Sequence, residues 1–173
     1  MAQYQDFAYV YDRLMHEDID YDKWCDYIEN LFTLHGVSPD TLCELACGTG
    51  NMTCRMEKRG YEITASDISS DMLSIASEKL DNTELICSDM SKLALSKKYD
   101  AFLCMIDGLN YVITPKAVLD TFINVKKHLN DGGVFVCEDF IRGGGESSAT
   151  CLQIQRRWWE GEGGESSALF FAP

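Results

Sequence analysis

The sequence lacks the features that mark membrane-spanning and secreted proteins. No apolar run approaches the ~20 residues that a membrane-spanning helix requires, and only three of the 173 residues are proline. Residues 1–12 are acidic and aromatic, without the basic region and the apolar stretch of a secretory signal. We therefore expect a soluble protein that has no membrane partner and lies in the cytoplasm.

Basic residues are also scarce. The chain has 15 Lys and Arg against 28 Asp and Glu, which gives a formal net charge of -13. Binding to DNA or RNA draws much of its affinity from cations that neutralise phosphates. The adjacent basic pairs, at 97–98, 126–127 and 156–157, are too few to predict a basic groove, so we expect no nucleic-acid partner.

The eight cysteines contain no CxxC pair, and they are dispersed along the chain, mostly within apolar runs. Closely spaced cysteines would indicate a zinc site or a disulfide framework. A free cysteine in an apolar run packs as a small hydrophobe. We therefore expect reduced thiols in the core and no metal site.

An alternation of helices and strands predicts the fold. Apolar residues at helical spacing from Phe7 to Met15, and again from Trp24 to Phe32, predict two helices before the first strand. The predicted strands are then 41–45, 61–66, 84–87, 99–105 and 133–138, and the predicted helices are 51–59, 70–80 and 115–129. Such a series gives an α/β fold: a doubly wound, mostly parallel Rossmann-like sheet with helices on both faces.

Turn and cap residues support these boundaries. Gly60 ends a helix, Ser69 can cap the next, and Thr114–Pro115 places a proline where its missing N–H costs nothing. The run Asn130–Gly133 predicts a turn before the last strand.

The chain has the length of one domain, in which we distinguish three parts. Residues 1–36 form an N-terminal helical cover, 37–140 a Rossmann-like core, and 141–173 an irregular tail rich in glycine and serine. In the tail, GGGESSA at 143–149 returns as GGESSA at 163–168, on either side of a strand-like piece at 151–159. The C-terminal end is therefore atypical or truncated.

The tail allows three interpretations: a flexible or low-complexity end, an irregular pair of strands, or a truncated or altered coding sequence. A sheet that ends at its fifth strand exposes an edge. A second copy in a homodimer, a strand from the tail or another protein could cover that edge.

A glycine turn, Gly48-Thr49-Gly50, joins the first predicted strand to the helix at 51–59. Glycine lets the backbone approach a ligand closely, and the free N–H groups of the helix then face that ligand. A dinucleotide site would have a third glycine in GxGxxG, but Thr53 occupies that position. The turn therefore indicates a ligand and disfavours a nicotinamide dinucleotide.

Two carboxylates follow at the ends of the next two strands. Asp67 lies seventeen positions after Gly50, where a carboxylate can accept both hydroxyls of a ribose. Asp67 could instead cap the helix that follows. Asp89 ends the third predicted strand at the same edge of the sheet.

These motifs resemble those of the class I S-adenosylmethionine (SAM)-dependent methyltransferases. The resemblance is carried by ELACGTGN, ITASDIS, ICSDM and FLCMIDGLNYV, in order and at the usual separations, and it spans about residues 4–139. The opening YVYDRLM resembles the amino-terminal cover of the bacterial members that act on small molecules. SAM is therefore the expected cofactor.

The resemblance also implies roles for residues along the cleft. Glu44, Ala46 and Gly48 border the methionine part of SAM, with Gly50 closing the turn and Tyr11 in the cover. Asp67 holds the ribose. Asp89 and the backbone of Met90 face the adenine, which Ile68 and Met72 flank; core packing explains Met72 equally well.

The segment Asp107–Tyr111 follows the fourth strand, where the resemblance places the groups nearest the sulfonium and the acceptor. Methyl transfer from an activated sulfonium needs mainly alignment, so Asp107 and Tyr111 are expected to position reactants and not to react covalently. Asp107 or His16 could take a proton from the acceptor, although a solvated histidine explains His16 better. Tyr4, Tyr11 and Tyr111 line an aromatic pocket or belong to the core.

The sequence thus predicts an enzyme that transfers a methyl group from SAM to a small-molecule acceptor by in-line displacement. A non-catalytic or truncated SAM-binding module that acts with a partner is the main alternative, because of the atypical tail. A nicotinamide-dependent oxidoreductase rests on the Rossmann-like order alone.

Overall fold

The computed structural model describes residues 2–138 and 168–172 and has the predicted fold class. Its helices are α1 (Ala2–Asp18), α2 (Tyr21–Leu34), α3 (Asn51–Lys58), α4 (Ser70–Ser77) and α5 (Pro115–His128). Its strands are β1 (Thr41–Leu45), β2 (Glu62–Asp67), β3 (Glu84–Cys87), β4 (Tyr99–Cys104), β5 (Leu129–Glu138) and β6 (Ala168–Ala172). Two short 3₁₀ helices, η1 (Met90–Lys92) and η2 (Gly108–Tyr111), follow β3 and β4.

The strands form one sheet in the order β3-β2-β1-β4-β5-β6, and all the pairs are parallel. From β1 the chain builds outward first through β2 and β3, and then returns to the other side of β1 with β4. The two loops that follow β1 and β4 therefore leave the sheet in opposite directions. In open α/β sheets a crevice for ligands forms at this switch point, beyond the carboxyl ends of the strands.

Helices cover both faces of the sheet, as predicted. On one face, α2 and α3 pack on the central strands through residues such as Ile28, Met56 and Leu103. On the other face, Phe122 of α5 packs edge-to-face on Phe135 of β5, with ring centroids 5.5 Å apart. The sheet is thus a rigid layer that fixes where its strand ends lie.

The predicted caps are present. The Ser69 hydroxyl accepts a hydrogen bond from the N–H of Met72 at the start of α4, and Thr114 accepts one from Ala117 at the start of α5. Gly60 follows α3 with a φ of 99°. The prediction for α4 was too long, because the helix ends at Ser77 and not at residue 80.

The turn predicted at Asn130–Gly133 lies inside β5, so the start predicted for this strand at residue 133 was wrong. The pairing of β4 with β5 moves from Tyr99↔Leu129 to Ala101↔Val134, which leaves residues 130–133 opposite a single residue of β4. Gly132 has a φ of 78° there. The residues that turn the chain were predicted correctly, but the chain resumes the same strand after them.

A strand from the tail, β6, pairs with β5 in parallel register from Val134↔Ala168 to Glu138↔Ala172. The sequence left three candidates to cover the edge of β5: a second copy of the chain, a strand from the tail or another protein. In the structure a strand from the tail covers it. The strand-like piece at 151–159, the first copy of the repeat and residues 163–167 of the second copy lie outside the described residues.

In the two described segments, no helix is long and apolar enough to span a membrane. None of the seven cysteines in those segments forms a disulfide, and six of them are buried. Burial raises the pKa of the Cys25 thiol to about 12, so this thiol stays protonated at neutral pH.

Candidate functional site

The carboxyl ends of β1 to β4 border a cleft of about 650 Å³. Nine of the twelve residues that the sequence predicts for the site line this cleft: Tyr11, Ala46, Gly48, Asp67, Ile68, Met72, Asp89, Met90 and Tyr111. The other three, Glu44, Gly50 and Asp107, lie in the same loops and strand ends without lining it. The motifs therefore converge on one place.

The loop between β1 and α3 turns sharply at the floor of the cleft. Ala46, Gly48 and Gly50 have positive φ angles of 53°, 55° and 75°. Glycine adopts this conformation without steric cost, whereas the Cβ of alanine opposes it by about 1–2 kcal/mol. The loop is tied to β2, because the N–H of Cys47 donates to the carbonyl of Ser66 over 3.0 Å.

Gly50 is required by close packing as well as by its backbone. A Cβ added there would lie 3.0 Å from the Cβ of Ala76 in α4. At Gly36, which has a similar φ of 69°, an added Cβ would meet no atom within 4 Å. We expect Gly50→Ala to lower the free energy of unfolding by about 1–3 kcal/mol more than Gly36→Ala. Urea unfolding of both variants measures this difference, and equal losses would contradict the clash.

Asp67 joins the two loops that border the cleft. One carboxylate oxygen accepts from the N–H of Gly48 over 2.9 Å, and the other accepts from the N–H of Ser69 over 2.8 Å. Ser69, not Asp67, supplies the side-chain cap of α4. Each carboxylate oxygen can accept more than one hydrogen bond, so Asp67 can still receive hydroxyl donors from a ligand in the cleft.

A half-apolar slot lies beside Asp67. Ile68 is 72% exposed, and its side chain borders the cleft together with the half-buried Met72 and Met90. Asp89 is bound locally, since it accepts from the N–H and the hydroxyl of Ser91 over 2.9 and 2.8 Å. These bonds, together with Lys92, lower the pKa of Asp89. The slot combines apolar side walls with a charged rim, which suits a heteroaromatic ring.

Glu44 lies at a closed end of the site. It is only 4% exposed and accepts a hydrogen bond from the Thr53 hydroxyl over 2.6 Å. Burial raises the pKa of Glu44 to about 7; the Asp67 charge adds to the rise, and the Thr53 hydrogen bond opposes it. A small cavity of about 40 Å³ reaches Glu44 and shares Tyr11, Ala46 and Gly48 with the main cleft. This end could take a cationic group from a ligand.

The two predicted residues after β4 differ in their position relative to the cleft. Tyr111 lines it and is 80% exposed. Asp107 has a φ of 61° and accepts a hydrogen bond from the Asn110 amide over 2.6 Å. His16, the other base that the sequence offered, is exposed and lines a separate cleft on the far side of α1.

Sequence reasoning missed an apolar wall across from the glycine loop. Ile106, Val112, Ile113 and Ala117 line the cleft there. Gly108 brings this wall close, because an added Cβ would lie 2.9 Å from the Cβ of Ala46. The position of these residues after a strand end was the available signal. The Tyr4 side chain, the third ring of the predicted aromatic pocket, lies outside what the structure describes.

Comparison with known proteins gives the same picture as the geometry. Residues 42–133 match the family described as a methyltransferase domain. A putative methyltransferase of Bacillus subtilis, YqeM, is 35% identical over 137 residues, which cover 77% of this chain and 53% of the relative. The dTDP-3-amino-3,4,6-trideoxy-alpha-D-glucopyranose N,N-dimethyltransferase of Streptomyces venezuelae is 28% identical, over 77% of this chain and 56% of that enzyme.

The fold comparison agrees. A SAM-dependent methyltransferase of Clostridium acetobutylicum, known from a crystal structure, superimposes with a TM-score of 0.66 at 37% identity. The match covers 76% of this chain and 55% of that one. The chain thus spans about half the length of the relatives that it matches. It belongs to the class I SAM-dependent methyltransferases, a family whose cofactor is SAM.

Proposed function

We propose that this chain binds SAM in the cleft and carries the cofactor half of an enzyme that methylates a small molecule by in-line displacement. The observation that supports this most directly is the position of Asp67. Its carboxylate joins the glycine loop to α4 and faces the cleft from the switch point of the sheet. Acidic residues at this position bind ribose hydroxyls in Rossmann-like folds.

The residues fit SAM along its whole length. Ile68, Met72 and Met90 provide apolar contact for the adenine beside Asp89, and Asp67 receives the ribose hydroxyls. Ala46 and Gly48 allow the methionine part to approach the backbone, and Glu44 lies where a cationic amino group needs a counter-charge. Tyr11 covers this end from α1.

The cofactor supplies a methyl group already activated on a positive sulfur, so the protein needs chiefly to align the acceptor and exclude water. Ile106, Val112 and Ile113 give the cleft an apolar wall on the side where the acceptor would approach. Tyr111 is placed to orient the acceptor. Asp107 holds the same segment in place by accepting a hydrogen bond from the Asn110 amide. Neither Tyr111 nor Asp107 is required to form a covalent bond.

The acceptor is a small molecule in this proposal. The related Streptomyces enzyme is named for a sugar nucleotide that it dimethylates on nitrogen, which supports this class of substrate. The formal charge of -13 argues against a nucleic-acid partner. The six buried thiols suit the reducing cytoplasm. A homodimer that pairs through the C-terminal edge of the sheet would use the outer edge of β6, and sedimentation equilibrium tests for a dimer.

We also infer the roles of the three parts of the chain. Residues 37–140 form the SAM-binding core, residues 1–36 cover it through α1, and the tail of residues 141–173 contributes β6 to the edge of the sheet. The second candidate function is a non-catalytic SAM-binding module that acts with a partner.

Calorimetric titration separates these functions. We expect SAM to bind to the full chain with a dissociation constant in the micromolar range, about 8 kcal/mol, and NAD not to bind measurably under the same conditions. Binding of NAD and not SAM would contradict the proposal. Transfer of the SAM methyl group to amino sugars, with release of S-adenosylhomocysteine, would then distinguish the enzyme from the binding module.

A further inference from the structure

We propose that Asp12 is a positioning residue for the cofactor. It fastens α1 to the loop between β1 and α3, and thereby holds Tyr11 over the end of the site that contains Glu44. This inference rests on the SAM binding proposed above, and it assigns a role to a residue of the YVYDRLM segment for which the resemblance implied none.

One carboxylate oxygen of Asp12 accepts hydrogen bonds from Thr49, in the loop between β1 and α3, and from Asn51, the first residue of α3. The Thr49 hydroxyl donates over 2.5 Å, and the Asn51 amide donates over 2.9 Å. The same oxygen pairs with the ammonium of Lys79, just beyond α4, and Lys79 also donates to the amide oxygen of Asn51 over 2.8 Å. Asp12 therefore links α1 to Thr49 and Asn51, which lie on either side of Gly50, and to Lys79 beyond the end of α4.

This pair is shielded from water. The side chains of Asp12 and Lys79 are 22% and 24% exposed, whereas those of Arg13 and Glu17 on the same helix are 64% or more exposed. Burial alone would raise the pKa of Asp12, but the hydrogen bonds from Lys79 and Thr49 lower it below its ordinary value. Asp12 is thus charged at neutral pH, in a place where water weakens the pair little.

Apolar burial holds α1 only weakly. The side chains of Phe7, Val10 and Leu14 are 61%, 57% and 54% exposed, and Ala8 is the buried apolar residue among those described in this helix. A second polar link of α1 among the described residues, from the Tyr9 hydroxyl to Glu78 over 2.6 Å, is exposed to solvent. The position of α1 therefore depends strongly on Asp12.

Tyr11 precedes Asp12 and turns to a different side of the helix, since successive helical residues are about 100° apart. Its side chain lines both the main cleft and the small cavity beside Glu44. The helix thus presents Asp12 to the loop and Tyr11 to the ligand at the same time. Loss of the Asp12 contacts would free Tyr11 and loosen Thr49 and Asn51.

The test compares Asp12→Ala with Glu17→Ala, which removes a carboxylate from an exposed pair on the same helix. By calorimetry we expect SAM to bind at least about 10-fold more weakly to Asp12→Ala and within about twofold of the unaltered chain to Glu17→Ala. Hydrogen exchange gives the second measurement. SAM should slow exchange of the α1 amides in the unaltered chain and in Glu17→Ala, and not in Asp12→Ala, while β1 and β4 stay equally protected in all three.

Asp12→Asn covers the case in which Asp12→Ala unfolds. It keeps an oxygen for Thr49 but loses the charge that attracts Lys79, so we expect an intermediate loss of affinity. SAM affinity and α1 exchange unchanged in the variants would overturn the proposal. Failure of the unaltered chain to bind SAM would instead contradict the proposed function. Faster α1 exchange in Asp12→Ala without SAM would still support the fastening of α1, and unchanged exchange would refute it.

Discussion

Asp67→Ala is expected to weaken SAM binding by about 100-fold or more. In the proposed complex the carboxylate receives two ribose hydroxyls, and a hydrogen bond to a charged group contributes about 1.5–3 kcal/mol. Losing two such bonds removes about 3 kcal/mol, which corresponds to roughly two orders of magnitude in the dissociation constant. Calorimetry with SAM measures this loss directly.

Asp71→Ala is the matched control, because it removes the same charge from the first turn of α4 without lining the cleft. Asp67 also accepts from the N–H groups of Gly48 and Ser69, so part of the loss could come from a displaced loop. Asp67→Asn preserves the shape of the side chain and removes the charge. An affinity of Asp67→Ala within threefold of the unaltered chain would refute the ribose assignment.

Glu44→Gln is expected to stabilise the SAM-free protein at pH 8 by about 3 kcal/mol. The folded protein raises the pKa of Glu44 from 4.5 to about 7 through burial and the charge of Asp67. Between these two values the folded state keeps a proton that the unfolded chain has lost. Stability therefore falls as the pH rises through this window, at up to about 1.4 kcal/mol per pH unit.

Glutamine has no proton to lose and still offers an oxygen to the Thr53 hydroxyl. Urea unfolding at pH 5, 6, 7 and 8 should show that the variant gains stability relative to the unaltered chain as the pH rises. Glu84→Gln, at an exposed position at the start of β3, should follow the unaltered chain. Parallel pH profiles for all three proteins would show that Glu44 ionises normally.

Cofactor binding should reverse this effect. A cationic amino group beside Glu44 favours the ionised carboxylate, so SAM binding near pH 6 should release a proton. Calorimetry in two buffers that differ in ionisation enthalpy detects that proton, and Glu44→Gln should release less. Equal proton release by both proteins would place the ligand's amino group elsewhere.

The sequence predicted the parts of the site that local chemistry determines. Asp67 and Asp89 lie at the carboxyl ends of two predicted strands. Parallel strands bring these ends to one edge of the sheet, so the closeness of the two carboxylates could be inferred from the sequence. The bounds of β1 and the position of its glycine turn were also predicted correctly.

Contacts between distant segments could not be inferred in this way. Asp12 reaches Thr49 from a helix that precedes the first strand, and no periodicity relates the two positions. The raised pKa of Glu44 follows from the packing of α3 against β1, which only the fold determines. The turn at 130–133 was recognised, but a sequence does not tell whether a strand resumes the same pairing after it.

Three residues without glycine's freedom lie in the left-handed region in the loops after β1 and β4: Ala46, Ile106 and Asp107, with φ of 53°, 53° and 61°. Each such residue stores about 1–3 kcal/mol of strain, which the surrounding packing has to balance. The loops after β1 and β4 are therefore shaped by the whole sheet and not by their own preference. A weakened core, even far from the cleft, should relax these loops before the protein unfolds. We therefore expect the affinity for SAM to fall before the fold itself is lost.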